Sequence, residues 1–183
     1  IEHLGKEALA ITNVIRSISG LLFMVVAAFA ATCSSLVSNL IGAGKGDYVL
    51  PTVWQHIRLA YLFVLPLALL LSLFPDVILG IYTDIPNVRA GAVTSLWVLC
   101  SSYLFTVPAQ VFFQSISGTG NTRTAFLLEL STLVLYVAYC AVIIGWLRLD
   151  VAVCWTAEHV YSVIITLFCA IYLYSGRWIG KRI

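Results

Sequence analysis

Long runs of apolar residues, separated by short turn-forming segments, dominate the chain. A hydrocarbon core of about 30 Å needs roughly 20 apolar residues as a helix. Five runs are long enough, and they cover residues 11–41, 57–79, 92–117, 124–147 and 151–174. The segments between them are rich in Gly, Pro, Asp and Asn and are too short to hold another domain. The pattern therefore predicts one all-α polytopic transmembrane bundle over residues 1–183, with five spanning helices.

Composition supports a surface that faces the lipid bilayer. The chain is 61% hydrophobic and 10% charged, whereas a soluble domain carries roughly a quarter charged residues. The net charge of +2 is too small to indicate a nucleic-acid partner. The five cysteines stand singly in apolar runs, which predicts small buried side chains rather than disulfides or metal ligands. We therefore predict no metal and no other cofactor.

The distribution of Lys and Arg predicts an orientation in the cell membrane. With five spans the two ends of the chain lie on opposite sides, and basic residues favour the cytoplasmic side. The six that share the side of the C-terminus are Lys45, Arg58, Arg123, Arg177, Lys181 and Arg182. We therefore expect a cytoplasmic C-terminus and an exterior N-terminus. An exterior start without an initiating Met leads us to expect a further helix upstream.

Small side chains recur along one face of the first span. The small residues recur at three- and four-residue spacing, and they are Ala27, Ala31, Ser34 or Ser35, Ser38 and Gly42. Small residues let helix backbones approach closely in lipid. The pattern predicts a tight interface between helices or, alternatively, a face that borders a cavity.

The third span carries a polar stripe. Gln110 and Gln114 are four residues apart and therefore share a helix face. Tyr103, seven residues before Gln110, falls close to the same face. Such a stripe either bonds to a neighbouring helix or lines a water-filled path, and both interpretations stay open.

Two carboxylates and one histidine lie within apolar spans. Glu129 is near the start of the fourth span, where it either pairs with Arg123 or acts as a protonatable or cation-binding group. Glu158 and His159 lie deeper, in the fifth span. Adjacent helical positions point about 100° apart, so both cannot face one cavity squarely. His159 is either structural or suited to proton exchange near neutral pH.

The common catalytic motifs are missing from the sequence. There is no HExxH and no GxSxG, and the segment GAGKGD lacks the earlier glycine and the final Ser or Thr of a phosphate-binding loop. No nucleophile is paired with a base in a recognisable arrangement. We therefore do not expect an enzyme.

Three segments together resemble a known family. They are LGKEALA at residues 4–10, SNLIGAGKGD at 38–47 and PAQVFFQSISGTGNTR at 108–123. In this order and spacing they resemble the multidrug and toxic compound extrusion (MATE) family of transporters. The resemblance implies twelve helices in two six-helix bundles, with this chain as helices 8 to 12 of the C-terminal half. The missing N-terminal bundle is then an expected partner.

The resemblance also implies an activity. Family members export small organic compounds in exchange for protons or sodium ions, by rocking one bundle against the other. Some members place a carboxylate on the tenth helix, where this chain has Thr106, and there is no Asp or Glu between Arg89 and Glu129. Glu129 and Glu158 are therefore the available candidates for the coupling ion.

Two alternatives to an exporter stay open. The first is a flippase for lipid-linked saccharides in the same superfamily, but no Lys or Arg lies deep in a span to give the basic cavity it needs. The second is a membrane scaffold or subunit that does not transport. In that case Gln110, Gln114, Glu129 and Glu158 face protein or lipid headgroups.

Overall fold

The computed structural model describes residues 6–147 and 149–179, and this part of the chain is built from helices. Its seven α-helices are α1 Lys6–Gly42, α2 Val49–Leu73, α3 Pro75–Tyr82, α4 Pro86–Gly118, α5 Thr122–Cys140, α6 Val151–Cys154 and α7 Ala157–Tyr174. A 3-10 turn at Gly46–Tyr48 leads into α2, and a π-helical segment at Ala141–Trp146 extends α5. Within these described residues, five helical stretches are long and apolar enough to cross a membrane. The prediction of an all-α bundle with five spanning helices is confirmed.

Prolines set the bounds of α2, which differ from those of the predicted second span. The helix begins at Val49 rather than near residue 57, because Pro51 lies in the first turn, where its missing N–H costs nothing. It ends at Leu73 rather than near residue 79. Pro75 has no N–H to continue the ladder, and Phe74 before it leaves the helical region with φ −122° and ψ 52°. The short helix α3 follows as a separate element.

The helix α4 occupies the centre of the bundle. It packs against α1, α2 and α7, and buried side chains occur along its whole length. Leu96, Leu99, Tyr103 and Ile116 are among the largest fully buried side chains of the protein. Because three helices surround α4, its side chains hold the positions of all of them.

The helices α1 and α4 touch through their backbones at Gly118. A methyl group on this residue would lie 2.4 Å from the carbonyl oxygen of Ser34. That distance is far inside van der Waals contact, so the position requires glycine. Packing alone therefore explains the first glycine of the GTGNTR segment at residues 118–123.

The small-residue face of α1 meets α4 at Ser34, whose backbone lies against Gly118, but most of the face is not buried. Ala31, Ser38 and Gly42 are exposed in the described part of the chain. A neighbouring face is buried instead, where the side chains of Val26, Ala30, Cys33 and Val37 pack in the core. The helix α1 packs mainly against α4 and α2, and these buried side chains belong to the common apolar core.

A proline inside α4 is compensated by a residue of α2. Pro108 has no N–H, so the carbonyl of Leu104, four residues earlier, loses its helical donor. The hydroxyl of Tyr61 donates a hydrogen bond to this carbonyl oxygen. An unpaired carbonyl in hydrocarbon is costly, and the bond from α2 removes that cost.

Three turns lie at one end of the bundle: the turn after α1, the turn after α4 and the turn after α7. Gly44 and Gly120 have φ angles of 71° and 80°, a left-handed conformation that favours glycine and ends α1 and α4. Near them, Asn121 Nδ2 donates to the Tyr172 hydroxyl at 2.6 Å, and Gly46 lies beside Trp178. Lys45, Arg123 and Arg177 are exposed at this end. Arg148, Lys181, Arg182 and the first two residues of the LGKEALA segment lie outside the described residues.

Candidate functional site

A polar cavity of about 230 Å³ lies between α1, α4 and α7. The side chains of Tyr103 and Gln110 line it from α4, and those of Glu158 and Tyr161 line it from α7. Ser19 and Phe23 close it on the α1 side. The cavity therefore gathers a carboxylate, an amide and several hydroxyls inside an otherwise apolar bundle.

The helix α7 presents its polar residues to the cavity because of their spacing. Glu158, Tyr161 and Ser162 follow at three and four residues, which places them on one face. Ser162 Oγ lies 3.0 Å from Thr106 Oγ1 of α4, and both residues are buried. This hydrogen bond holds α7 against α4 beside the cavity.

Tyr103 is fixed in place by α1. Its ring is 2% exposed, and its hydroxyl donates to the carbonyl oxygen of Ser19 at 2.8 Å. The same hydroxyl is 3.3 Å from Ser19 Oγ. Because the side chain is buried and its hydroxyl is bonded to α1, Tyr103 forms a fixed wall of the cavity.

Glu129 joins the cavity through another side chain. It lies on α5 and accepts a hydrogen bond from the Tyr161 hydroxyl, with 2.7 Å between the hydroxyl oxygen and Oε1. The ring of Tyr136 packs edge-on against the Tyr161 ring at 5.8 Å. The hydrogen-bond partner of Glu129 in the described part of the chain is thus Tyr161, and not the Arg123 guanidinium considered from the sequence.

The structure brings four of the six predicted site residues together. Tyr103, Gln110 and Glu158 line the same cavity, and Glu129 contacts its wall at Tyr161. The positions of the remaining two, Gln114 and His159, are different.

Gln114 and His159 do not line the cavity. Gln114 is half-buried one turn beyond Gln110 on α4. His159 points to another side of α7, where its Nε2 shares a 3.0 Å hydrogen bond with Ser101 Oγ. The ring of Phe105 packs beside it at 5.8 Å. The 100° angle between adjacent helical residues separates Glu158 from His159, as predicted from their positions in the sequence.

Sequence reasoning missed Tyr161 and Ser19 as parts of the site. The signal for Tyr161 is present in the sequence, because it follows Glu158 by one helical turn and so shares its face. Ser19 has no comparable local signal. Its place in the cavity depends on how α1 packs against α4, which no spacing along the chain specifies.

The polar groups that line the cavity are a carboxylate, an amide and several hydroxyls. Carboxylate, amide and hydroxyl oxygens suit hydrogen bonding, proton exchange or a hard cation. Residues 6–147 and 149–179 contain no group of three or more His, Cys, Asp or Glu side chains able to hold a metal ion. The arrangement can therefore bind a polar or cationic group and move a proton between oxygens.

Comparisons with known proteins agree with this fold. The chain is 22% identical over 177 residues to the protein "Probable multidrug resistance protein NorM" of Thermotoga maritima. That match covers 95% of this chain and 38% of the relative, so the chain spans well under half of the relative's length. No solved structure was found to match. The model of the family described as MatE matches residues 1–142, more than three quarters of the sequence, and the chain therefore belongs to the MatE family.

Proposed function

We propose that this chain is part of an ion-coupled exporter of small organic compounds that works by alternating access. Membership of the MatE family and the likeness to a protein named for multidrug resistance support an exporter. In this proposal the chain supplies helices 8 to 12, and the remaining bundle completes the transporter. Protons or sodium ions provide the driving force.

The observation that carries the proposal is the cavity between α1, α4 and α7. A carboxylate within a transmembrane bundle is costly, and where one occurs it is usually paired or marks an ion or substrate pathway. Glu158 nevertheless lines a cavity together with Gln110 and Tyr103. Such a cavity suits an exporter, which needs a site where an ion and a substrate compete.

In the sequence six Lys and Arg residues share the side of the C-terminus and four share the other side, and this difference supports a cytoplasmic C-terminus. Lys45, Arg123 and Arg177 are exposed at the end where the C-terminal turn lies. Basic residues at this end favour its placement in the cytoplasm. The cavity lining in the described part of the chain contains no Lys or Arg, so a flippase for anionic saccharide lipids is disfavoured.

The test replaces each carboxylate by its amide in the full-length protein. Proteoliposomes that hold Glu158→Gln or Glu129→Gln are loaded with ethidium, a fluorescent organic cation, and given a proton or a sodium gradient. We expect ion-driven ethidium transport to fall at least about tenfold for each variant, since an interaction with a charged group is lost. Membrane abundance should not change, because the amide has nearly the same shape.

The matched control is Glu7→Gln. Glu7 is exposed in the first turn of α1, away from the cavity, and its replacement should leave transport unchanged. Unaltered transport in both the Glu158→Gln and Glu129→Gln variants would remove these residues from ion coupling. An absence of gradient-driven transport by the unmodified protein would reject the proposal as a whole.

A further inference from the structure

We propose that Tyr161 relays a proton between the cavity and Glu129, and that this pair forms a proton-coupling site. The inference rests on the proposed function and deepens it, because it assigns the proton as the coupling ion and names the route. Tyr161 passes the proton, and Glu129 is where the proton is held. The proposal is argued from the hydrogen bonds and the burial of these two side chains.

The first observation is that Glu129 reaches the cavity through the Tyr161 hydroxyl. Tyr161 lines the cavity, whereas Glu129 does not line it and accepts a 2.7 Å hydrogen bond from the Tyr161 hydroxyl. The second oxygen, Oε2, is buried and has no hydrogen-bond partner in the described part of the chain. A proton that moves from the cavity to Glu129 along this contact therefore passes through the phenol oxygen.

The second observation is the difference between the two tyrosines of the cavity. Tyr103 donates its hydroxyl proton to the carbonyl of Ser19, a group that cannot hold a proton at ordinary pH. Tyr161 donates to a carboxylate, which can. Of these two tyrosines, Tyr161 is therefore the one that can complete a transfer.

The titratable groups near Tyr161 come from α4, α5 and α7, whereas α1 lines the cavity with Ser19 and Phe23. The helix α7 contributes Glu158 and Cys169, α5 contributes Glu129 and Tyr136, and α4 contributes Tyr103. Glu158 lies one turn before Tyr161 on the same face and lines the same cavity. In the proposal Glu158 takes up the proton that enters the cavity and passes it to the phenol, because it is the carboxylate that lines the cavity.

The transfer step balances without a further reactant. A protonated Glu158 or a hydronium ion in the cavity gives a proton to the Tyr161 oxygen, while the original phenol proton moves to Glu129 Oε1. Tyr161 ends neutral, Glu129 ends protonated and the donor has one proton fewer. The hydrogen bond then runs from Glu129 to Tyr161, and the phenol proton points to the cavity. Release of the proton reverses the same steps.

The test is Tyr161→Phe in the full-length protein, which removes one oxygen and keeps the ring against Tyr136. Proteoliposomes report two modes: ethidium transport driven by a proton gradient, and exchange of ethidium across the membrane at equal pH. We expect the proton-driven mode to fall at least about tenfold, with exchange retained within about twofold. A merely structural role would lower both modes together.

The control is Tyr172→Phe, on the same helix. It also removes a hydroxyl that makes a short hydrogen bond, in this case with Asn121 at the end of the bundle. It should leave the ratio of the two modes unchanged. The double variant Tyr161→Phe/Glu129→Gln should be no worse than either single variant, because both substitutions break one relay.

Three outcomes would overturn the relay. They are unchanged proton-driven transport in Tyr161→Phe, an equal loss of both modes, and additive losses in the double variant. If Tyr161→Phe does not accumulate in the membrane, Glu129→Gln must show the same selective loss of the proton-driven mode. A protein driven by sodium but not by protons would remain an exporter and would overturn only the relay. A protein that no gradient drives would reject the exporter itself.

Discussion

The helices α4 and α5 differ sharply in how the bundle holds them. The helix α4 packs against α1, α2 and α7, and buried side chains occur along its whole length. The helix α5 packs mainly against α7, and Ala125 and Thr132 are its buried residues in the described part of the chain. One helix is held by packing against three others, and the other mainly by one face and by hydrogen bonds such as Glu129–Tyr161 and Tyr139–Thr156.

This difference separates the rigid part of the site from its adjustable part. Apolar surface costs nothing when it faces lipid tails, so no hydrophobic force drives α5 further into the bundle. The walls formed by Tyr103 and Gln110 stand on the firmly packed helix. Glu129, the proposed proton acceptor, stands on a spanning helix with few buried side chains, where the loss of one hydrogen bond is a larger share of what holds the helix.

The largest effect expected from this comparison comes from truncating a leucine in each helix. Leu96 of α4 is 0% exposed, whereas Leu133 of α5 is 44% exposed. Leu96→Ala should lower the free energy of unfolding by about 3 kcal/mol, because it leaves a cavity among three helices. Leu133→Ala should change it by less than about 0.5 kcal/mol. Unfolding by SDS titration of the purified protein measures both, and equal losses would contradict the contrast.

The contact between α1 and α4 gives the next effect. A methyl group at Gly118 would strike the Ser34 carbonyl, so Gly118→Ala should cost about 2 kcal/mol of unfolding free energy. Gly20→Ala is the control, since no atom lies within 4 Å of a methyl group there. It should be neutral or stabilise α1 by about 0.5 kcal/mol. The midpoint of thermal unfolding, followed by Trp fluorescence, compares the two, and an unaltered midpoint in Gly118→Ala would refute the close contact.

The smallest effect concerns the carbonyl that Pro108 leaves free. Tyr61→Phe should cost about 1 kcal/mol, because the Leu104 carbonyl loses its donor. In a Pro108→Ala background the helix supplies its own N–H, so the same substitution should cost clearly less. A double-mutant cycle on the free energy of unfolding measures this coupling. Equal costs in the two backgrounds would show that Tyr61 does not serve the proline.

Membrane spans and their number follow from the sequence because they depend on local composition. Runs of about 20 apolar residues cross a bilayer whatever their neighbours do. The interior break at Phe74 was missed, although Pro75 marks it, because hydropathy alone does not sense a missing N–H. The buried face of α1 was also missed, since lipid and protein are equally apolar and the sequence does not distinguish them.

The candidate site was predictable only where its residues share a helix. Gln110 and Tyr103 fall on one face by spacing, and so do Glu158 and Tyr161. The meeting of Glu129 with Tyr161 is different, since 32 residues separate them and two helices must pack to join them. From the sequence, an ion pair between Glu129 and Arg123 stayed possible, because Arg123 is only six residues away along the chain.

The bond from Tyr61 to the Leu104 carbonyl has a consequence for motion. The break in the helical hydrogen bonds at Pro108 involves two helices, because α2 supplies the donor that α4 lacks. If α4 moved alone, it would leave a backbone carbonyl unpaired inside the membrane. The helices α2 and α4 should therefore move together as one rigid body. Hinges of the bundle are then expected in the turns at the helix ends rather than at Pro108.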